Sequence, residues 1–306
     1  MPPDVSEHRP GRRAEPEEGV YLVADDPVWP WLAACAESLR HFNPETRVIV
    51  MPYGGTMTIT ERLCRHYGFE LWSDPSLDVL DAIGERDLSG VLPPQRMRRL
   101  AAFWGPLERF LYLDVDTVVL MDLAPVLQAL AATRGALLFA HCDDWGGNLD
   151  EVYRPGPWRD EFVARHGSHA GNSGVFGAAR GLFTREQIAE LAQTARPFAG
   201  EFVYSDQGFL NFLVDVTGTA ARNLHEFIDE QVLWPGVPGY RESGGALWGP
   251  QGEPVGLVHW AGFYLDAELP YEGLWRHWLK ASPEAARQPG SRLGRLRERI
   301  IGAERR

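Results

Sequence analysis

With 306 residues, 44% of them hydrophobic and 11% aromatic, the chain holds enough apolar material for one large core, which excludes a disordered or fibrous protein. A formal charge of −12 argues against a nucleic-acid backbone as partner, because that affinity comes from clustered basic side chains. No apolar run approaches the roughly 18 residues needed to span a bilayer, and the Pro-, Arg- and Glu-rich first residues do not read as a signal peptide.

Residues 1–18 hold almost no large apolar side chain and predict a tail without fixed structure. Order is expected from Gly19. Val20 to Ala24 reads as a strand, Asp25-Asp26-Pro27 as a turn, and Trp31, Leu32, Cys35 and Leu39 recur at helical spacing. Asn43-Pro44 ends that helix; a strand at Arg47 to Met51, a helix at Thr60 to Tyr67 and a strand at Phe69 to Trp72 follow. From Asp74 to Pro94 the pattern dissolves into Pro, Gly, Ser and charges, which predicts a surface loop. Gln95 to Trp104 is helical and basic, Pro125 suits the first turn of a helix, and Ala136 to Ala140 reads as a strand.

Beyond residue 141 the pattern changes. His141 to His169 is polar and aromatic without periodicity, long enough to predict a functional loop or lid. Asn172-Ser173-Gly174 reads as a turn, Thr184 to Ala195 as a helix, and Tyr204 to Gln207 as the start of another. Pro254 to Trp260 is a last strand ending at His259. Alternating strands and helices predict an α/β fold: a single Rossmann-like layered domain with a mainly parallel central sheet over residues 19–280. Residues 281–306 form a basic amphipathic tail. Such a tail packs on its own domain or lies on an anionic membrane surface, and the sequence leaves both open. Cys35, Cys64 and Cys142 are widely spaced with no Cys-x-x-Cys pair, which suits a reduced, cytoplasmic protein.

The most informative stretch is Leu111 to Leu120, LYLDVDTVVL, where two carboxylates interrupt an apolar run that reads as one buried strand. Period-two alternation would point Asp114 and Asp116 the same way, with Val115 opposite. Unpaired acids inside a sheet are costly, so the strand's carboxyl end is their expected place, with a divalent cation between them. Oxygen ligands favour Mg²⁺ or Mn²⁺. The plain alternative is two turn-capping aspartates. Asp-x-Asp-x-Thr is also the nucleophile motif of haloacid-dehalogenase phosphatases, but that chemistry needs a downstream lysine, and the sole lysine is Lys280 with no Gly-Asp-x-x-x-Asp after it. A nucleotidyltransferase would need a Gly-rich, Lys-bearing loop that Asp25-Asp26-Pro27-Val28 is not.

Taken together, Ala24-Asp25-Asp26, an arginine (Arg98) sixteen residues before Asp-x-Asp, Asn-Ser-Gly-Val, Asp-Gln-Gly-Phe-Leu-Asn and Val-His-Trp-Ala-Gly resemble the retaining glycosyltransferases of family 8. The likeness runs over about residues 19 to 265. The resemblance implies a GT-A fold and transfer of a hexose from a UDP-sugar to an acceptor hydroxyl. It implies that Asp114, Asp116 and His259 hold Mn²⁺, that Asp25, with Ala24 and Val115, contacts the nucleoside end, and that Arg98 reaches the donor sugar and diphosphate. Asn172, Ser173 and Gly262 would line the donor pocket, with Asp206 and Gln207 beside the anomeric carbon and Asp143 or Asp144 on the sugar hydroxyls. Leu265 stands where the family places a lysine, which keeps a catalytically weak sugar-nucleotide binder in view. Trp145, Tyr153 and Trp158 are expected to stack on a small-molecule or glycan acceptor.

Overall fold

The computed structural model describes residues 17–88, 93–133, 135–141, 149–167, 169–235, 237–265 and 268–287. Strand β1 (Glu18–Ala24) sends Val20, Leu22 and Ala24 into one core and Tyr21 and Val23 into another. Both faces are covered, so the strand is apolar at every interior position. Helix α1 (Trp29–Phe42) starts with Pro30 in its first turn. Strand β2 (Arg47–Pro52), helix α2 (Thr58–Tyr67) and strand β3 (Glu70–Leu71) follow. The Asp26 carboxylate accepts from the amides of Ile59 and Thr60 at 2.8 and 2.9 Å and so satisfies the open start of α2.

Where a surface loop was expected, residues 76–87 form helix α3 (Ser76–Asp87). Leu77, Leu80, Ile83 and Gly84 are buried at helical spacing, a period that the interleaved charges and glycine hide. A 3-10 helix over Pro94–Phe103 then delivers the chain into β4 (Arg109–Leu113). A second departure comes at once, because LYLDVDTVVL is not one strand. Asp114-Val115-Asp116 separates β4 from β5 (Thr117–Val119), and the two strands belong to different sheets. The acids sit where the sheets part, which spares the ladder two buried charges.

The chain continues with α4 (Ala124–Ala132), β6 (Ala136–His141), α5 (Pro157–His166), β7 (Gly171–Ala179) and α6 (Arg185–Ala195), the last capped reciprocally by Thr184 and Gln187. Helix α7 (Ser205–Thr217), strands β8 (Ala220–Asn223) and β9 (Gln231–Leu233), the hairpin β10 (Arg241–Ser243) and β11 (Ala246–Trp248), strand β12 (Val255–His259), and helices α8 (Glu272–Ala281) and α9 (Pro283–Arg287) complete it. The main sheet runs β3-β2-β1-β4-β7-β6-β8; its first four strands are parallel, and β7 is antiparallel to both neighbours. The small sheet is β5-β12-β9.

The expected lid is, over residues 149–167, a short 3-10 turn and α5. Tyr153 and Trp158 are buried there: the Tyr153 hydroxyl donates to the Gly208 carbonyl at 3.1 Å, and Trp158 lies 4.7 Å from Phe212. Both rings support α7 and offer no face to an acceptor. Asp143, Asp144 and Trp145 lie outside the described residues, as do residues 1–16 of the predicted tail.

The C-terminal boundary also moves. Trp275 of α8 packs 5.2 Å from Trp31 of α1, which lies 5.8 Å from Trp260. Beyond it, buried Glu284 of α9 pairs with Arg62 of α2 at 2.6 Å, so the chain is still part of the domain past residue 281. Residues 288–306, with most of the basic amphipathic pattern, lie outside the described residues. No described helix is long and apolar enough to cross a membrane. Because Trp275 is nearly fully buried between α8 and α1, Trp275→Ala is expected to cost about 3–5 kcal/mol, measured as a lowered urea midpoint.

Candidate active site

Two sheets meet at Asp114-Val115-Asp116, and each sheet holds one of the acids. On the main-sheet side, Leu113 pairs with Val175 across β4 and β7, and the Asp114 amide donates to the Gly174 carbonyl at 2.8 Å. On the small-sheet side, His259 pairs with Thr117 across β12 and β5, and the Trp260 amide donates to the Asp116 carbonyl at 2.9 Å. Antiparallel register therefore brings His259 beside the acids from 143 residues further along the chain. Val115, between them, turns its side chain into the core.

The imidazole Nε2 of His259 lies 3.2 Å from Asp116 Oδ1 and 3.7 Å from Asp114 Oδ2. One ligand atom from each residue can be chosen so that all three lie within 4.8 Å of one another. Asp116 Oδ1 and both ring nitrogens of His259 are buried without an aligned hydrogen-bond partner. Such groups are expensive to leave unmatched, and two carboxylates with an imidazole form a donor set that fits Mn²⁺ or Mg²⁺. Gly174 keeps the gap open: a Cβ there would fall 2.6 Å from Asp114 Oδ2 and 2.8 Å from His259 Nε2. The Trp234 ring covers the imidazole at 5.2 Å.

Burial pushes the Asp116 carboxyl up, but His259, Arg96 and Arg99 outweigh it and hold the group below its ordinary value. Burial also drives the His259 proton off, yet Asp116 and Asp114 more than reverse this and hold the imidazole above its ordinary value.

Of the adjacent pair Arg98 and Arg99, it is Arg99 that forms ion pairs with this cluster. The Arg98 guanidinium is forked onto Asp81 at 2.9 and 2.6 Å and donates to the Pro52 carbonyl at 2.9 Å. It lies near Gly54 and Asp25, at the carboxyl ends of β1 and β2. Asp25 follows buried Ala24 there and accepts from the Gly55 amide at 3.1 Å. Burial raises its carboxyl pKa above the ordinary value. Arg99 is buried, 3.1 Å from Asp114 Oδ1 and 2.9 Å from Asp206 Oδ2, and donates to the Ser173 carbonyl and hydroxyl, each at 2.9 Å. The Tyr112 hydroxyl donates to Asp114 at 2.7 Å.

Asn172, Ser173 and Gly174, for which the sequence kept a plain turn open as the alternative, instead open strand β7 and are laced to the start of α7. Asn172 Nδ2 and the Ser173 amide both donate to Gln207 Oε1, at 2.9 and 3.2 Å. The Ser173 hydroxyl donates to Asp206 Oδ2 at 2.9 Å, leaving Asp206 Oδ1 buried without a partner. Asn211 clamps the Gly171 amide and carbonyl, each at 2.8 Å. Gly262 adopts φ +77°, which favours glycine, and a Cβ there would lie 4.0 Å from the Tyr204 hydroxyl at the head of α7. Leu265 is half-buried against the apolar core.

Sequence reasoning missed Arg99, Tyr112 and Gly174. A signal for Arg99 lay in the helix type: in a 3-10 helix residues three apart eclipse, and adjacent residues point about 120° apart. Lys280, which a phosphatase mechanism would need, is exposed on α8.

No protein-family model matches this sequence, and no curated protein matches it by sequence. Solved structures do share its fold. The apo bifunctional glycosyltransferase WbbM aligns with 90% of this chain and 52% of its own, at a TM-score of 0.58 and 11% identity. The galactosyltransferase LgtC, solved with donor and acceptor sugar analogs, aligns with 87% of this chain and 96% of its own, at a TM-score of 0.57 and 15% identity. The apo form of GlyE, a Streptococcus pneumoniae TIGR4 glycosyltransferase, aligns with 95% of this chain and 64% of its own, at a TM-score of 0.52 and 13% identity. The chain thus spans about half the length of WbbM. Its structural neighbours are glycosyltransferases, and its fold is GT-A.

Gly174→Ala is expected to push the imidazole and carboxylate apart and weaken Mn²⁺ binding at least about tenfold, whereas Gly200→Ala, which meets nothing within 4 Å, leaves it unchanged; calorimetric titration distinguishes them. A metal-ligating imidazole must be neutral, and this one is held above the usual value of about 6.5. Mn²⁺ affinity should therefore fall as pH drops through that raised value, with proton release on binding read from the buffer dependence of the titration heat.

Proposed function

We propose that this chain is a divalent-cation-dependent glycosyltransferase of the retaining family 8 type, moving a hexose from a UDP-sugar to the hydroxyl of a small-molecule or glycan acceptor. The observation that carries this reading is the triad Asp114, Asp116 and His259, whose ligand atoms converge on the gap that Gly174 keeps clear. LgtC, solved with donor and acceptor sugar analogs, has the same fold and supports the donor class.

A bound Mn²⁺ or Mg²⁺ would supply electrostatic stabilisation of the charge that develops on the departing diphosphate. The protein groups divide the remaining work. Asp25 takes the uracil edge, and Arg98, committed to Asp81, serves that nucleoside end and not the leaving group. Asp206 Oδ1, buried and unmatched, accepts from a sugar hydroxyl. Gln207 Oε1 already accepts from two donors, and an amide is a poor nucleophile. It therefore orients the anomeric carbon while the acceptor hydroxyl attacks from the face the diphosphate leaves, the carbon–phosphate-oxygen bond breaking and the hydroxyl proton passing to the departing phosphate oxygen.

One observation favours a second reading, a sugar-nucleotide binder with little turnover: Leu265 puts an apolar side chain where the resemblance implies a lysine. It predicts Mn²⁺-dependent UDP affinity without donor hydrolysis. Under the leading reading, Asp116→Asn and His259→Ala each lower UDP release from the cognate donor by at least about 100-fold, and a chelator does the same to the unaltered chain. Full turnover in both variants would overturn the metal-site assignment.

A further inference from the structure

Resting on that reading, we propose that Arg96 binds the phosphate oxygens of the donor and carries part of the leaving-group charge. The 3-10 helix over Pro94–Phe103 places Arg96 and Arg99 on one face, because residues three apart eclipse there. The Arg96 carbonyl is held from the same side by Arg99 Nε at 3.1 Å. Arg99 is spent on Asp114, Asp206 and Ser173. Arg98, one residue earlier, points elsewhere and is spent on Asp81. Arg96 is half-buried beside the Tyr53 phenol, within electrostatic reach of Asp206, Asp114 and Asp116, and forms no ion pair among the described residues.

Charge balance gives this cation a partner. The cluster holds the carboxylates Asp114, Asp116 and Asp206 against the Arg99 guanidinium, and a divalent ion makes up the difference. A nucleotide diphosphate then adds negative charge that, among the described residues, no other cation at the site is free to meet. A guanidinium matches phosphate oxygens with two parallel donors and keeps its charge when partly buried.

The test is calorimetric titration of the Mn²⁺-loaded full chain with UDP, and with uridine as a probe lacking phosphates, for the unaltered protein, Arg96→Ala and Arg96→Lys. Arg96→Ala is expected to weaken UDP about tenfold or more and to leave uridine and the melting temperature unchanged, with Arg96→Lys in between. Equal UDP affinity in all three proteins overturns the assignment, as does an equal loss for UDP and uridine, which would mark a structural role. No UDP binding by the unaltered chain would instead remove the parent reading and this one with it.

Discussion

Like charges crowded at the junction of two sheets are the condition to which the rest of the structure answers. Asp114, Asp116 and Asp206 converge where β4 ends and β5 begins, and an unpaired buried carboxylate costs several kcal/mol. Hydrogen bonds to a charged group return roughly 1.5–3 kcal/mol each. Asp114 receives them from Tyr112 and Arg99, and Asp206 from Ser173 with Arg99 beside it. Among the described residues, Asp116 Oδ1 has only the imidazole of His259, close but unaligned. The deficit is thereby concentrated at one spot, and that spot is the gap facing Gly174.

Much of the fold was legible because both faces of the main sheet are covered. Runs such as Val20 to Ala24 and Val48 to Met51 are then continuously apolar, and α1 shows its period without interference. Helix α3 was not legible, since Asp78, Asp81, Glu85 and Arg86 interleave with its buried residues along the sequence and Gly84 stands among those residues. The break inside LYLDVDTVVL was invisible for another reason: Thr117, Val118 and Val119 are as strand-prone as the residues before the acids, and nothing local says that they join a different sheet.

Of the candidate site, residue types carried further than spacings did. Two acids one residue apart and a histidine closing an apolar strand pointed to a shared cation, and the register of β12 against β5 brings these groups together. Counting back from the acids picked Arg98, but the 3-10 geometry turns that side chain toward Asp81 and gives the inward place to Arg99. A plain turn was the alternative reading of Asn172 and Ser173 because their short polar side chains suit one, yet those same side chains are what fasten β7 to α7.

The indole of Trp234, resting 5.2 Å from the His259 ring, gives the protein an optical property of its own. A paramagnetic ion held at the imidazole would quench a fluorophore this near, so loading of the cluster would dim the Trp234 share of the light that the protein's eleven indoles give off.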